Sequence, residues 1–390
     1  MKRSQSLSLC LLLTSAITCL ATQLPLLTRP SLPASSTSNT ELLSLHRRLI
    51  EIESISGNEQ AIGDWLASYL VMHGFQVQKQ YVTKDRLNIL AYVNSNKTDI
   101  LVTSHIDTVP PYIPYSIHNG SIWGRGSVDA KACVAAQIIA SLRLLQTTKS
   151  TKSLSLLYVV GEEVSGTGMK YFSANAPSNY SAVLFGEPTE GRLASGHKGM
   201  MSFTLSIEGK AAHSGYPWLG IDANRILLHC LNALEKLEGE LPADKVLGNS
   251  TINFGMIQGG VANNVVPASA TAEISIRIAS GSPEHIRDLV QDALKPIKSQ
   301  TEAQGGHLSV SFSNRGYGPV RIDTDIPDFD SVSVNYGTDI PNLEGKHKQY
   351  LYGPGSIQVC HGPNEHLKVK ELEDAAIAYE KILEYLLRDN

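Results

Sequence analysis

Cysteine is scarce in this chain, with five in 390 residues. Cys10 and Cys19 fall in an N-terminal apolar stretch, which leaves Cys133, Cys230 and Cys360. An odd number cannot all pair within one chain, so nothing here points to a disulfide framework. Excess charge is lacking too. The formal net charge is only -4 and no basic stripe is present, which argues against nucleic acid and for a small-molecule partner. After residue 20 no apolar run approaches the roughly 20 residues that a membrane-spanning helix needs.

What is present at the N-terminus has a recognisable layout. Lys2 and Arg3 precede an apolar stretch from Leu7 to Leu20, broken by Ser, Thr and Cys and followed by Ala21. Residues 1–21 therefore read as a secretory signal, with a run too short for an anchor. Residues 22–40, rich in Ser, Thr, Pro and Leu, read as a flexible leader or short propeptide. Asn-x-Ser/Thr triplets at Asn96, Asn119, Asn179 and Asn249 are compatible with a secreted, extracellular glycoprotein.

The length favours two domains, and a hydrophobic fraction of 42% supports substantial cores. Leu42, Leu45 and Leu49 start a helical pattern that Ile62, Leu66 and Leu70 continue. Short apolar runs follow, each ending in an acid or histidine: Ile100–Thr103 before His105, Leu154–Val160 before Glu162, Ala182–Phe185 before Glu187. Strand-then-acid, with a helix near 132–145 between, is how an α/β sheet presents ligands at its carboxyl edge. From Met200 the order becomes β (200–208), α (223–237), β (251–257), β (270–278), α (283–297), β (307–312), a ferredoxin-like βαββαβ unit. The expected organisation is an α/β catalytic domain in two parts, 41–198 and 318–390, interrupted by a lid at 199–317 and closed by a helix over about 369–387.

The chemistry-bearing residues sit beside small or turn-forming ones. In Ser104-His105-Ile106-Asp107, positions i and i+2 of an extended segment point the same way, so Asp107 can reach the His105 imidazole and fix its tautomer. Asp129 follows Gly124-Arg125-Gly126, a tight turn before a helix whose spacing matches neither a Walker loop nor a dinucleotide fingerprint. Glu162 and Glu163, adjacent at a strand end, point in different directions, so one can bind metal while the other holds a proton. Two histidines and three carboxylates suit zinc, and a carboxylate shared between two ions lets them sit roughly 3.5 to 4 Å apart, an arrangement that activates water against an amide. Cys360, although next to His361, reads as a buried structural thiol.

Together, His105-Ile-Asp107-Thr-Val-Pro110, Gly161-Glu162-Glu163, Gly186-Glu187-Pro188 and Gly260-Val-Ala-Asn-Asn264-Val-Val-Pro267 resemble the M20 metallopeptidase family, in the right order from about Glu41 to the C-terminus. The branch of that family it resembles, subfamily A, includes glutamate carboxypeptidase, acetylornithine deacetylase and aminoacylase. The resemblance implies a zinc-peptidase-like catalytic domain with an inserted lid that often dimerises. It also implies two Zn2+ per subunit, with Co2+ or Mn2+ as alternatives. His105, Asp129 and Glu187 would hold one ion and Asp129, Glu163 and His361 the other, with Asp129 bridging. Asp107 would orient His105, and Glu162 would be the general base. His213, in Ala211-Ala212-His213-Ser214, would reach over, often into the partner subunit, to stabilise an oxyanion. Asn264 and Arg277 would grip the substrate, Arg277 clamping a free α-carboxylate.

Two departures are visible. Ala130 follows Asp129 where many relatives carry an acid or Asn, and the segment between Gly318 and Gly353 is short, so the rear wall of the pocket is expected to differ. The expected function is a secreted carboxypeptidase resembling the secreted carboxypeptidase-like members. Its rivals are an N-acyl amino acid deacylase and a non-catalytic binding protein on the same fold. The expected substrate is a peptide or N-acyl amino acid with a free carboxylate; no nucleic acid and no membrane is expected, and a homodimer would form through the lid.

Overall fold

The computed structural model describes residues 35–147 and 153–388. The signal sequence and residues 22–34 of the leader lie outside them. The described chain opens with α1 (Ser35–Glu51) and α2 (Gln60–Met72), then β1 (Gln76–Thr83), β2 (Arg86–Tyr92) and β3 (Ile100–His105). Next come α3 (Lys131–Thr147), β4 (Leu154–Val159), α4 (Thr167–Ala174) and β5 (Ala182–Gly186). The inserted unit follows as β6 (Gly199–Glu208), α5 (Ala223–Glu238), β7 (Thr251–Gly259), β8 (Ser269–Ile278), α6 (Pro283–Ala303) and β9 (His307–Tyr317). The chain returns through β10 (Lys348–Tyr352) and ends in α7 (Val369–Leu386).

Six strands form the central sheet in the order β1-β2-β4-β3-β5-β10. β1, β2 and β4 are joined antiparallel; β4, β3, β5 and β10 run parallel. Those strands read as unbroken apolar runs because both faces are covered. Ile100 and Val102 of β3 enter the core shared with α1, α3 and α7, while Leu101 enters the opposite core with Met169 and Phe172 of α4. The parallel strands therefore end together, and their carboxyl ends deliver His105, Glu162 and Glu187 to one edge.

The inserted unit is a four-stranded antiparallel sheet, β7-β8-β6-β9, with α5 and α6 on one face. Alternation along β6 and β8 puts every second residue into that core. Asp222 caps α5 by accepting from the Arg225 amide, and Ser282 caps α6 by accepting from the His285 amide, with Pro283 in the first turn.

Three boundaries differ from the sequence expectation by five residues or more, one of them that of β9, which runs past Phe312 to Tyr317. α1 begins at Ser35 instead of Glu41, so the end of the 22–40 leader is helical. No Gly or Pro interrupts Ser35–Thr40, and the Asn39 side chain donates to Glu373 on α7 at 3.3 Å, tying that turn to the body. α6 runs on to Ala303, past Pro296, because Leu294 before the proline and Thr301 after it both stay buried.

α1 also carries a buried titratable group. The His46 ring donates from Nε2 to the Ser127 carbonyl at 3.0 Å, and its Nδ1 has no partner among the described residues. Protonating Nδ1 would place an unpaired N–H in the core, and burial pushes the imidazole down to about 3. An unfolded histidine takes up its proton near pH 6.5. The unfolded state thus binds the extra proton, and stability is lost as pH falls from about 6.5 towards 3, at roughly 1.4 kcal/mol per pH unit. His46→Gln keeps an N–H for Ser127 and removes the titration. Thermal unfolding of the metal-free protein across this range is expected to show a slope about one proton shallower in the variant; an identical slope would exclude His46 as its source.

Candidate active site

The site is built from strand ends and one returning loop. His105 closes β3, the Glu162-Glu163 turn follows β4, and Glu187 follows β5. Asp129 lies in the turn ahead of α3, where Gly124 and Gly126 hold φ angles of 142° and 85°. A Cβ on Gly126 would come within 2.9 Å of the Lys131 side chain, so the turn has no room for a larger residue there. His361 arrives from the loop before α7.

The geometry centres on Asp129. Its Oδ1 lies 3.1 Å from His105 Nε2, and its Oδ2 lies 3.2 Å from His361 Nε2. Glu187 Oε1 stands 3.6 Å from the same nitrogen of His105, and Glu163 Oε2 stands 3.0 Å from that of His361. His105, Asp129 and Glu187 form one group whose ligand atoms lie within 4.8 Å of one another; Asp129, Glu163 and His361 form a second. One carboxylate thus offers an oxygen to each group. All five expected ligands are brought together in the two expected triads.

Protonation follows from this crowding. Burial raises Glu162 well above the usual carboxylate range and Glu163 above its ordinary value. Burial likewise pushes Glu187 up to about 8. Burial opposes charge on Asp129 as well, but hydrogen bonds from His105 and His361 outweigh it and hold Asp129 low. Hydrogen bonds to Asp129 and Glu163 in turn raise His361 to about 10. In the protein alone both imidazoles are pushed towards carrying protons, where they face carboxylate oxygens. The donor set fits two divalent ions that would displace them.

Asp107 lies beside the His105 ring as expected, but its carboxylate is shared with other donors. The His105 Nδ1 donates to the Asp107 main-chain carbonyl at 3.0 Å, while the carboxylate is 3.6 Å away. That carboxylate is taken by other donors: the Ser56 hydroxyl at 2.7 Å and the amides of Glu162 and Glu163 at 3.1 and 3.3 Å. Asp107 therefore fixes the Glu162-Glu163 turn with its side chain and His105 with its backbone. The two glutamates diverge as expected: Glu163 faces His361, and both line a cleft of about 510 Å³ between the central sheet and the inserted unit.

Arg277 reaches this cleft from β8, with Met200 Sδ 4.0 Å from its guanidinium. His213 and Asn264 do not line it. His213 lies in a two-stranded ribbon and Asn264 in the turn beside it, both exposed on the inserted unit. His213 Nδ1 accepts from the Gly215 amide at 3.0 Å, which leaves its ring proton on Nε2. Cys360 is half-buried, its thiol 3.6 Å from the Ser356 carbonyl, and belongs to neither ligand group; Cys133 and Cys230 are buried and free. Ser56, Tyr317 and Arg315 were not anticipated. Tyr317 and Arg315 line the cleft, and Arg315 donates to the Val164 carbonyl beside Glu163 at 2.9 Å.

Comparison with known proteins gives a consistent picture. A family model described as a peptidase dimerisation domain matches residues 195–302. A probable carboxypeptidase of Aspergillus niger is 47% identical over 376 residues, covering 88% of this chain and 89% of the relative. The crystal structure of a tripeptidase from Staphylococcus aureus superposes with a TM-score of 0.76 at 22% identity, covering 90% of this chain and 99% of that one. A Bacillus subtilis protein described as a dinuclear metal-binding peptidase of the M20 family gives a TM-score of 0.64 at 15% identity, covering 90% and 99%.

Proposed function

This chain belongs to the M20 peptidase family and is a metallopeptidase, and from that premise we propose that it is a secreted carboxypeptidase using two zinc ions. The observation that carries the reading is the Asp129 carboxylate, with one oxygen towards each triad, in a cleft whose opposite wall presents Arg277. Bound there, two divalent ions would polarise the scissile carbonyl and supply an easily deprotonated water. Glu162, in the same cleft, takes the proton of the attacking water and hands it to the leaving nitrogen. Arg277 holds the terminal α-carboxylate through a paired contact, which sets the scissile amide one residue from the chain end. The A. niger relative's description as a probable carboxypeptidase supports this choice of substrate.

His213 presents its Nε2 proton outward, as a donor for an oxyanion in a neighbouring cleft would. A homodimer through the inserted unit supplies that neighbour. Its support is the dimerisation-domain match and the open edge of β7, where Met256 and Ile257 are 49% and 56% exposed. A monomeric mass by light scattering would remove this part of the reading. Secretion rests on the signal layout and on the four sequons, of which Asn119, Asn179 and Asn249 are exposed and Asn96 half-exposed. Intact mass of the protein recovered from culture medium tests both cleavage and glycosylation.

The deciding experiment is mass-spectrometric product analysis of the zinc-loaded protein, run in parallel on a mixed peptide library and a panel of N-acetyl amino acids. Release of single C-terminal residues is expected. Cleavage confined to the acyl amino acids would replace the carboxypeptidase by a deacylase, and inertness on both would overturn the proposed substrate class.

A further inference from the structure

Beneath the two triads lies an ion pair that the chemistry above does not use. Arg125 and Glu365 are each 2% exposed, and Arg125 Nη1 donates to Glu365 Oε2 at 2.6 Å. The second carboxylate oxygen, Oε1, accepts from the backbone amides of Val128 and Asp129 at 3.1 and 3.2 Å. The same guanidinium donates to the carbonyls of His361 and Gly362, each at 3.3 Å, and to that of Pro111 at 3.3 Å. One buried pair therefore grips the main chain of both segments that meet at the bridging carboxylate.

That grip addresses two difficulties. Asp129 must direct its two oxygens at different histidines, so rotation of its peptide unit would lose one of them. His361 has a φ of 62°, in the left-handed region that a side chain bearing a Cβ disfavours, and its ring is largely exposed. Burial does not hold that ring. Its carbonyl is held by Arg125, whose partner Glu365 lies four residues further along the same loop. From these contacts we infer that Arg125 and Glu365 are positioning residues, a clamp that presets the Asp129 turn and the His361 loop for the second of the two cations before any cation arrives.

The clamp touches no substrate and no expected ligand side chain. It acts through the backbone of Asp129 and His361, and the cation held by Asp129, Glu163 and His361 depends on both of its grips. The cation held by His105, Asp129 and Glu187 depends only on the first, and its other ligands are fixed by strand ends. The inference rests on the two-cation reading of the site. Groups that orient metal ligands typically change metal affinity about 10- to 100-fold when removed, which sets the scale of the expected effect.

The test uses zinc alone, titrated calorimetrically into the metal-free full chain. Glu365→Gln keeps the shape but leaves Arg125 without its counter-charge, which risks folding, so the double variant Arg125→Met with Glu365→Leu is run beside it to remove both charges together. The parent is expected to bind two ions. Both variants are expected to weaken one ion only slightly and the other about 10- to 100-fold, with kcat falling and KM little changed until excess zinc restores turnover. Parental affinity for both ions, or equal weakening of both, would overturn the clamp; a parent that binds fewer than two would instead overturn the two-cation reading. If neither variant folds, hydrogen exchange on the parent decides. Amides of residues 124–131 equally protected with and without zinc support presetting, and protection gained only with zinc refutes it.

Discussion

Glu162→Gln is expected to lower kcat by about 10,000-fold, close to 5.5 kcal/mol of transition-state stabilisation, with KM nearly unchanged and both zinc ions retained. The size follows from the double duty proposed for one carboxyl, which would accept the proton of the attacking water and return it to the leaving nitrogen. An amide of the same shape can do neither. The retention of metal follows from geometry, since Glu162 belongs to neither ligand group, whereas Glu163 next to it does. The turn itself is held by backbone contacts to Asp107, which the substitution leaves in place. Turnover within tenfold of the parent, or the loss of one zinc, would remove Glu162 from the role of proton carrier.

That these adjacent glutamates point apart was legible in the sequence, because consecutive residues at a strand end diverge; Glu163 faces His361 and Glu162 joins neither ligand group. Much of the fold was legible for a similar reason. β3, β4 and β5 are short apolar runs, each followed at once by a histidine or acid, and a parallel sheet must place such endings on one edge. The inserted unit announced itself through the alternation of β6 and β8 and the helical spacing of α5 and α6.

What escaped the sequence depends on contacts between distant segments. Asp107 reaches to 3.6 Å of the His105 ring, and Ser56, far upstream, and two amides of the next strand end compete for its oxygens. No local pattern encodes that competition. Arg125 sits in the glycine turn ahead of Asp129, and Glu365 follows His361 in Gly-Pro-Asn-Glu; each is near a ligand in sequence. Their pairing spans 240 positions and appears only when the fold closes. His213 and Asn264 lie outside the chain's own cleft, and the resemblance had His213 reach into a partner subunit, a placement that one chain does not decide.

Asp129 is where all of this converges, and its replacement gives the sharpest expected contrast with the other ligands. Asp129→Asn leaves one acceptor oxygen and turns an N–H2 group towards the other triad, a donor where a cation needs an acceptor. Both ions are expected to be lost, activity to fall by about 10,000-fold or more, and the stabilisation that zinc gives the parent in thermal unfolding to vanish. His361→Ala, by contrast, removes a ligand from one group only and is expected to leave one ion bound. Metal-free Asp129→Asn should unfold below the metal-free parent, because the lost charge accepts from two imidazoles, so the quantity that isolates the ions is the shift zinc gives each protein. The two variants therefore separate a shared ligand from an unshared one without reference to activity. An Asp129→Asn protein that still binds two zinc ions would show that the carboxylate does not bridge, and the two triads would then have to work as independent sites.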